Sequence, residues 1–442
     1  MLKRLLVIAL PMIVSQASET AMLFVDRLFL SQVSPLHLAS AMAGGLTNFA
    51  VSSIFVGIVG YVNAIAAQYF GANEREKCAR STMQAVYLSL MAVPLLLGVA
   101  QLMPGFFGLM GHDPAQVPLE SVYARWLLSG GVILLLRNAL TGFFLGTGRT
   151  RVVMVSNIVG MIVNIPLNYV LIFGAFGFPE LGMVGAAIGT LGGGATALAI
   201  LTLAYLSRRT NDAYNTRNEY RFDRSLFGKL LRYGTPAGIE IFLNTFAFNL
   251  FVQLMHGYGA TVAAATTITF NWDIVSFVPM LGLGFATTAI VGQYVGAGDS
   301  DGAARVTRLA LLMGWIYSGA MMLLFVLGAP ALVAVFSGSF DSTGEIGSLA
   351  RMMLRLAGIY VMADSTQLVF AGALRGAGDT AWVMRASALL HWVFAGVVFV
   401  LIRVVSADPI AVWLVFIGFV LTLGISMFLR FRAGAWRAMR MV

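Results

Sequence analysis

The chain has 442 residues, of which 59% are hydrophobic and only 11% charged, with a mean hydropathy of +0.85. A soluble protein carries about a quarter charged residues, so a water-soluble globular fold is excluded. The net charge of +9 points to nucleic acid or an anionic surface only if it is clustered, and its distribution, given below, explains it without such a partner.

Apolar runs of about 20 residues recur from end to end, each long enough to cross a hydrocarbon core roughly 30 Å thick. They are too long and too continuously apolar for barrel strands. Twelve spans are predicted, near residues 5–30, 40–68, 82–104, 122–145, 152–174, 181–206, 229–256, 262–293, 306–336, 351–374, 381–403 and 408–430. The fold class is therefore an all-α polytopic membrane protein. The longest polar stretch, SRRTNDAYNTRNEYRFDRSLFGK, follows span six and reads as a linker between two halves. The expected division is 1–206, a cytoplasmic linker 207–228, and 229–442.

Of the 28 basic residues, all but Arg27, Arg125, Arg137, Arg351, Arg355 and Arg403 fall at the termini and in the even-numbered loops. The positive-inside rule then places both termini in the cytoplasm, as in the inner membrane of a prokaryote. Basicity here is topology. The opening MLKRLLVIALPMIVSQAS has the layout of a signal peptide, but the repeat described next uses it as a span. Cys78 is the only cysteine and is expected in a cytoplasmic loop, with no disulfide framework or thiolate metal site.

PMIVSQASETAMLFVDRLFL, from Pro11, aligns with PAGIEIFLNTFAFNLFVQLM, from Pro236, at an offset of 225. The same offset pairs AAQYFGANE with VGQYVGAGD. At an offset of 230, GFFLGTGRT (142–150) falls on GALRGAGDT (372–380), the extra residues fitting the outer loop SGSFDSTGEIGS. Six spans per half give the halves one orientation: two parallel six-helix bundles related by a pseudo-twofold axis along the membrane normal. The glycines of GTGRT and GAGDT suit helix ends, with Thr150 and Thr380 expected to cap the next helices. Neither motif is a phosphate cradle, because neither follows a strand or precedes Lys-Ser or Lys-Thr. Uphill transport would need an ion gradient.

Five of the 19 carboxylates fall inside predicted spans: Glu19, Asp26, Glu240, Asp273 and Asp364. A charge at membrane depth costs several kcal/mol, so such groups face an aqueous cavity or a partner, and burial favours their protonated form. His37, His112 and His256 sit near outer loops, while His391 is mid-span and reads first as a packing residue. Arg137, also mid-span, needs an acidic or carbonyl partner or a substrate anion. The 31 Phe and 23 Met read mainly as lipid-facing and packing residues.

LFVDRLFL, AAQYFGANEREK, NIPLNYVLIFG, GAAIGT and ADSTQLVFAGALRGAGDT make the chain resemble the multidrug and toxin extrusion (MATE) transporters over nearly its whole length. The resemblance implies a secondary antiporter, not an enzyme. It would export small amphipathic, often cationic, organic compounds in exchange for H+ or Na+, with no cofactor and no nucleic-acid partner. It also implies an amino-terminal cation site at Asp26, Asn164, Asn168 and Thr190, able to take Na+ or a proton. Many relatives carry aspartate at the position of Asn168, so this site has one carboxylate fewer, which leans the reading towards protons. In the second half Asp364 matches the tenth-span aspartate, with Gln367 one turn on. Asn244 stands where many relatives have glutamate, and Glu240 one turn earlier is a candidate replacement. By the 225 offset Asn244 pairs with Glu19. The alternative is a flippase for a lipid-linked oligosaccharide or polyprenyl-pyrophosphate precursor; twelve spans and a carboxylate-rich cavity favour the exporter, acting as a monomer.

Overall fold

The computed structural model describes residues 1–110, 112–336 and 344–442, and among these the chain is helical with no strand. The helices are α1 (Leu2–Val33), α2 (Pro35–Gly60), α3 (Val62–Gly71), α4 (Arg75–Leu109), α5 (Val117–Ser129), α6 (Gly131–Gly146), α7 (Thr150–Phe173), α8 (Gly182–Tyr205), α9 (Arg208–Tyr214), α10 (Arg224–His256), α11 (Ala260–Gly296), α12 (Ser300–Ala334), α13 (Glu345–Ala377), α14 (Thr380–Arg403) and α15 (Pro409–Arg432). Among the described residues eleven segments are long and apolar enough to cross a membrane, α2 and α3 counting as one, and the α5–α6 pair, bent by 44°, makes twelve. These match the predicted spans one for one. Most of the outer loop SGSFDSTGEIGS, residues 337–343, lies outside the described residues.

The repeat is visible in the helix limits. α4 and α12 have the same bounds displaced by 225, and α7 and α14 the same bounds displaced by 230. Proline interrupts α1, α4, α7, α10, α11 and α12 from inside. In a membrane such breaks are tolerated because neighbouring helices satisfy the freed carbonyls.

The chain forms two compact units. One contains Val14–Phe242 with 296–298 and 441–442; the other contains Met1–Ile13, Leu243–Val295 and Asp299–Arg440. α1 and α10 are each divided between units. In the first unit α10 lies so close to α2 that a Cβ on Gly57 would meet the Gly238 nitrogen at 2.6 Å. In the second, a Cβ on Gly282 of α11 would meet the Ile13 nitrogen of α1 at 2.8 Å. The offset of 225 carries Gly57 to Gly282 and position 13 to 238, so these are one contact made twice.

The GFFLGTGRT and GALRGAGDT glycines do two jobs. Gly148 (φ 76) and Gly378 (φ 107) take the left-handed backbone that ends α6 and α13. Gly146 and Gly376 instead allow close approach: a Cβ on either would run into backbone, of Asn63 and Ala67 in α3 or of Thr288 and Gly292 in α11. Thr150 and Thr380 are not caps. They are the first residues inside α7 and α14, whose N-cap positions are Arg149 and Asp379, without side-chain capping. Cys78 is likewise corrected: it is buried within the first turn of α4, its Sγ donating to the Ala66 carbonyl at 3.3 Å.

The linker is structured. Arg80 of α4 holds Glu219 at 2.5 Å, and Gln84 bonds both the Arg221 carbonyl and the Asp223 amide. α9 is capped at its start by Ser207.

Candidate functional site

The first-unit site forms where α1, α7 and α8 meet. Asp26 is 2% exposed, and Asn164 and Asn168 are fully buried. Asn168 donates through Nδ2 to Asp26 Oδ1. Thr190 donates through Oγ1 to Asp26 Oδ2 at 2.9 Å, and the same Oγ1 lies 3.0 Å from the Ala186 carbonyl. Asn164, one turn before Asn168, approaches the carboxylate outside hydrogen-bond geometry, so both its polar side-chain atoms are buried and unpartnered. Tyr123 of α5 also lies near Asp26 and Thr190. Arg27 is exposed and makes no ion pair among the described residues. It does not clamp Asp26.

The seating depends on α8 glycines. A Cβ on Gly189 would collide with Asn168 Oδ1, and one on Gly193 would lie 2.7 Å from Asn164 Cβ. Glycine there is what lets two asparagines turn inward between tightly packed helices. The GAAIGT motif thus shapes the site as well as supplying Thr190.

A second polar cluster lies in the same unit. Arg137 of α6 pairs with Glu19 of α1, Nη2 to Oε1, at 3.1 Å. Asn157 of α7 donates through Nδ2 to Glu19 Oε1 at 2.9 Å and to Ser15 Oγ at 2.6 Å. Arg137 therefore has the acidic partner that its depth demands.

In the second unit the expected grouping is rearranged. Asn244 donates to Ser387 Oγ of α14 at 2.8 Å rather than to Asp364. Glu240 is buried in the first unit, on the other side of the division of α10 from Asn244. Asp364 instead has Asp273 of α11 as its electrostatic neighbour, with Tyr360, one turn before Asp364, close to both. Both aspartates are half-buried, and Gln367 is buried one turn beyond. Asp273 as a partner of Asp364 went unread in the sequence, although an intramembrane carboxylate was the signal for it. His391 is a packing residue in this structure: Nδ1 meets the Ser387 carbonyl at 2.8 Å and the ring packs edge-on against Phe419. Among the described residues no three His, Cys, Asp or Glu side chains are placed to share a metal ion.

The profile of one family, MatE, matches residues 11–170 and again 236–402. The chain belongs to the MatE family. The two matched segments start at Pro11 and Pro236, the pair from which the internal repeat was read. A relative from Bacillus anthracis, named probable multidrug resistance protein NorM, is 29% identical over 401 residues, covering 89% of this chain and 86% of its own. A protein of the same name from Shewanella oneidensis is 29% identical over 395 residues, covering 88% and 84%. A solved structure of a MATE protein in complex with MaL6 matches at TM-score 0.90 and 21% identity, over 99% of this chain and 97% of that one. At that identity the likeness speaks to the fold alone.

Within this MatE chain the repeat shows which polar groups are particular to one half. At offsets of 225 and 230, Asp26, Asn164 and Asn168 correspond to Phe251, Phe394 and Val398. Those three belong to the buried aromatic core of the second unit, where the Phe251 and Phe394 rings lie 5.1 Å apart. The second half thus closes the equivalent ground with packed apolar side chains, and the first half opens it to a carboxylate.

Proposed function

We propose that this MatE protein is a secondary antiporter that exports small amphipathic, cationic organic compounds in exchange for protons, by alternating access. It would act as a monomer in the inner membrane of a prokaryote, with both termini and the 207–228 linker in the cytoplasm and 1–206 and 229–442 as its lobes. The names of its NorM relatives support multidrug efflux, and carboxylates at membrane depth in both halves support coupling to a cation.

The observation that carries the proton reading is the Thr190 hydroxyl between Asp26 Oδ2 and the Ala186 carbonyl, at 2.9 and 3.0 Å. A hydroxyl has one proton to donate and lone pairs with which to accept. With Asp26 ionised, Thr190 donates to it. With Asp26 protonated, Thr190 turns its own proton to Ala186 and accepts from the carboxyl. Both states are satisfied without moving a heavy atom. Sodium would have to displace the Asn168 and Thr190 donors, which occupy one carboxylate oxygen each, and would find one carboxylate only.

Efflux of a cationic dye from proteoliposomes, under an imposed proton gradient and then an imposed sodium gradient, tests this. Proton-driven efflux lost in Asp26→Asn is the expected result. Efflux driven by sodium alone would overturn the proton reading.

A further inference from the structure

Three side chains of α4 fasten the linker and leave its own cations outward. Arg80 binds the Glu219 carboxylate at 2.5 Å. Gln84 donates to the Arg221 carbonyl and accepts from the Asp223 amide, both at 3.1 Å, and the Tyr87 hydroxyl donates to the Tyr220 carbonyl. The backbone of 219–223 is therefore fixed, while Tyr220 and Phe222 keep 59% and 58% exposure. Both carboxylates of the segment are already engaged: Glu219 by Arg80, and Asp223 Oδ1 by the Ser225 and Leu226 amides at 2.9 and 3.1 Å. Arg221 and Arg224 are exposed, and among the described residues their guanidiniums have no ion pair or hydrogen bond.

The repeat shows that the fold does not need these polar fastenings. At an offset of 225, Arg80, Gln84 and Tyr87 correspond to Arg305, Leu309 and Leu312 of α12, apolar at the two later positions. On α4, Leu90 and Met91 follow Tyr87 by one turn and are 49% and 65% exposed. Residues three and four apart share a helix face, so Tyr87 stands at the start of a face turned to lipid. The linker rings lie at that level: the Phe222 centroid is 6.1 Å from that of Tyr87 and 5.2 Å from that of Phe227 in α10. Aromatic rings at such a depth mark a membrane–water boundary, and arginines beside them meet anionic headgroups. Topology asks only that the linker be basic. It does not ask for exposed rings among the arginines, or for polar side chains on α4 that hold them in place.

We propose that Tyr220, Arg221, Phe222 and Arg224 form a docking surface for anionic phospholipids of the leaflet against which the linker lies. The two rings seat at the boundary between headgroups and acyl chains. The two guanidiniums take headgroup phosphate oxygens in charge-assisted hydrogen bonds. Because α4 fixes the backbone beforehand, binding orders little besides these four side chains. The surface does not rest on the exporter reading.

The test uses full-length protein carrying Asn218→Cys, an exposed position beside the surface, labelled with bimane; Cys78 is buried and stays unlabelled. The protein is reconstituted in phosphatidylcholine vesicles, and quenching is followed as brominated phosphatidylglycerol or brominated phosphatidylcholine is introduced. The quantity compared is the ratio of the two apparent affinities, anionic over zwitterionic. At low salt it should be about tenfold or more, and it should shrink as salt rises. Arg221→Gln and Arg224→Gln should each lower it about threefold to fivefold, and the double variant should bring it close to one. Tyr220→Ser with Phe222→Ser should weaken quenching by both lipids and leave the ratio above one. Arg432→Gln, at the end of α15, should leave it unchanged. A ratio of one in the parent protein, or an unchanged ratio in the double glutamine variant, overturns the proposal. So does loss of the ratio to inorganic phosphate at constant ionic strength, which would make this a site for a soluble anion.

Discussion

The Lys229 ammonium lies 5.4 Å from the centroid of the Tyr69 ring and donates to Tyr69 Oη at 3.0 Å. At an offset of 225 the same pairing recurs as Arg4 over Tyr294, at 5.6 Å. Each cation comes from the leading half of a divided helix, α10 or α1, and each ring from the helix that its unit packs against it, α3 or α11. A cation over a ring contributes about 0.5–2 kcal/mol depending on desolvation. Lys229→Met and Arg4→Met should each lower the melting temperature in detergent, and Tyr69→Phe, which keeps the ring and loses only the hydroxyl, should cost less than Lys229→Met. Unchanged melting in both methionine variants would show that these contacts are incidental.

The glycines beneath these contacts make a sharper test. A methyl group on Gly57 or Gly282 meets backbone within 3.0 Å, which cannot turn aside as a side chain can. Overpacking of this kind costs about 1–3 kcal/mol. Gly98 of α4 has nothing within 4 Å of the same methyl group, and alanine there should be neutral or stabilising by up to about 1 kcal/mol. Thermal scans of Gly57→Ala, Gly282→Ala and Gly98→Ala should therefore show two similar losses and no loss. A Gly282→Ala protein as stable as Gly98→Ala would contradict the close approach of α11 to α1.

Hydropathy made the spans legible because it reports which segments leave water. It does not report which helix each segment meets, and so the division of α1 and α10 between units was not readable. The pairing of Asp26 with Asn168 and Thr190 was readable through the family resemblance, whereas Gly189 and Gly193, which let it close, look like any small residues in a membrane helix. Cys78 was misplaced because the polar run REKCARS belongs to the first turns of α4, where helix continues beyond the apolar stretch. Thr150 and Thr380 carry the chemistry of caps, but the preceding Gly148 and Gly378 end one helix so tightly that the next begins a residue early. Asn244 was read only as the position where many relatives have glutamate; that its amide is taken by Ser387 could have been indicated by the offset of Asn157.

Topology can be read with one thiol. Wild-type Cys78 is buried and should stay silent to a membrane-impermeant maleimide. Asn218 in the linker is exposed, so Asn218→Cys should label only after cells are permeabilised or vesicles inverted. Labelling of intact cells would place the linker outside and reverse the orientation expected from the basic residues.

The last prediction isolates the hydroxyl at the Asp26 site. Thr190→Val keeps the shape of the side chain and removes a hydroxyl that can both donate to and accept from the carboxyl without rearrangement. The Ala186 carbonyl cannot substitute, since it only accepts. Ionised Asp26 would lose one of its two donors, and protonated Asp26 would lose the nearest acceptor, so both halves of a proton cycle suffer. Thr190→Ser restores the hydroxyl and gives up only a methyl group. In proteoliposomes under a proton gradient, Thr190→Val should reduce dye efflux about tenfold or more, corresponding to loss of a hydrogen bond to a charged group. Thr190→Ser should stay within about threefold of wild type, because the hydrogen-bonding group itself is kept. Binding of the dye in detergent, measured alongside, separates coupling from substrate affinity: the valine variant should bind normally and export poorly. If Thr190→Val exports as well as Thr190→Ser, the hydroxyl switch is not the step that couples protons to transport.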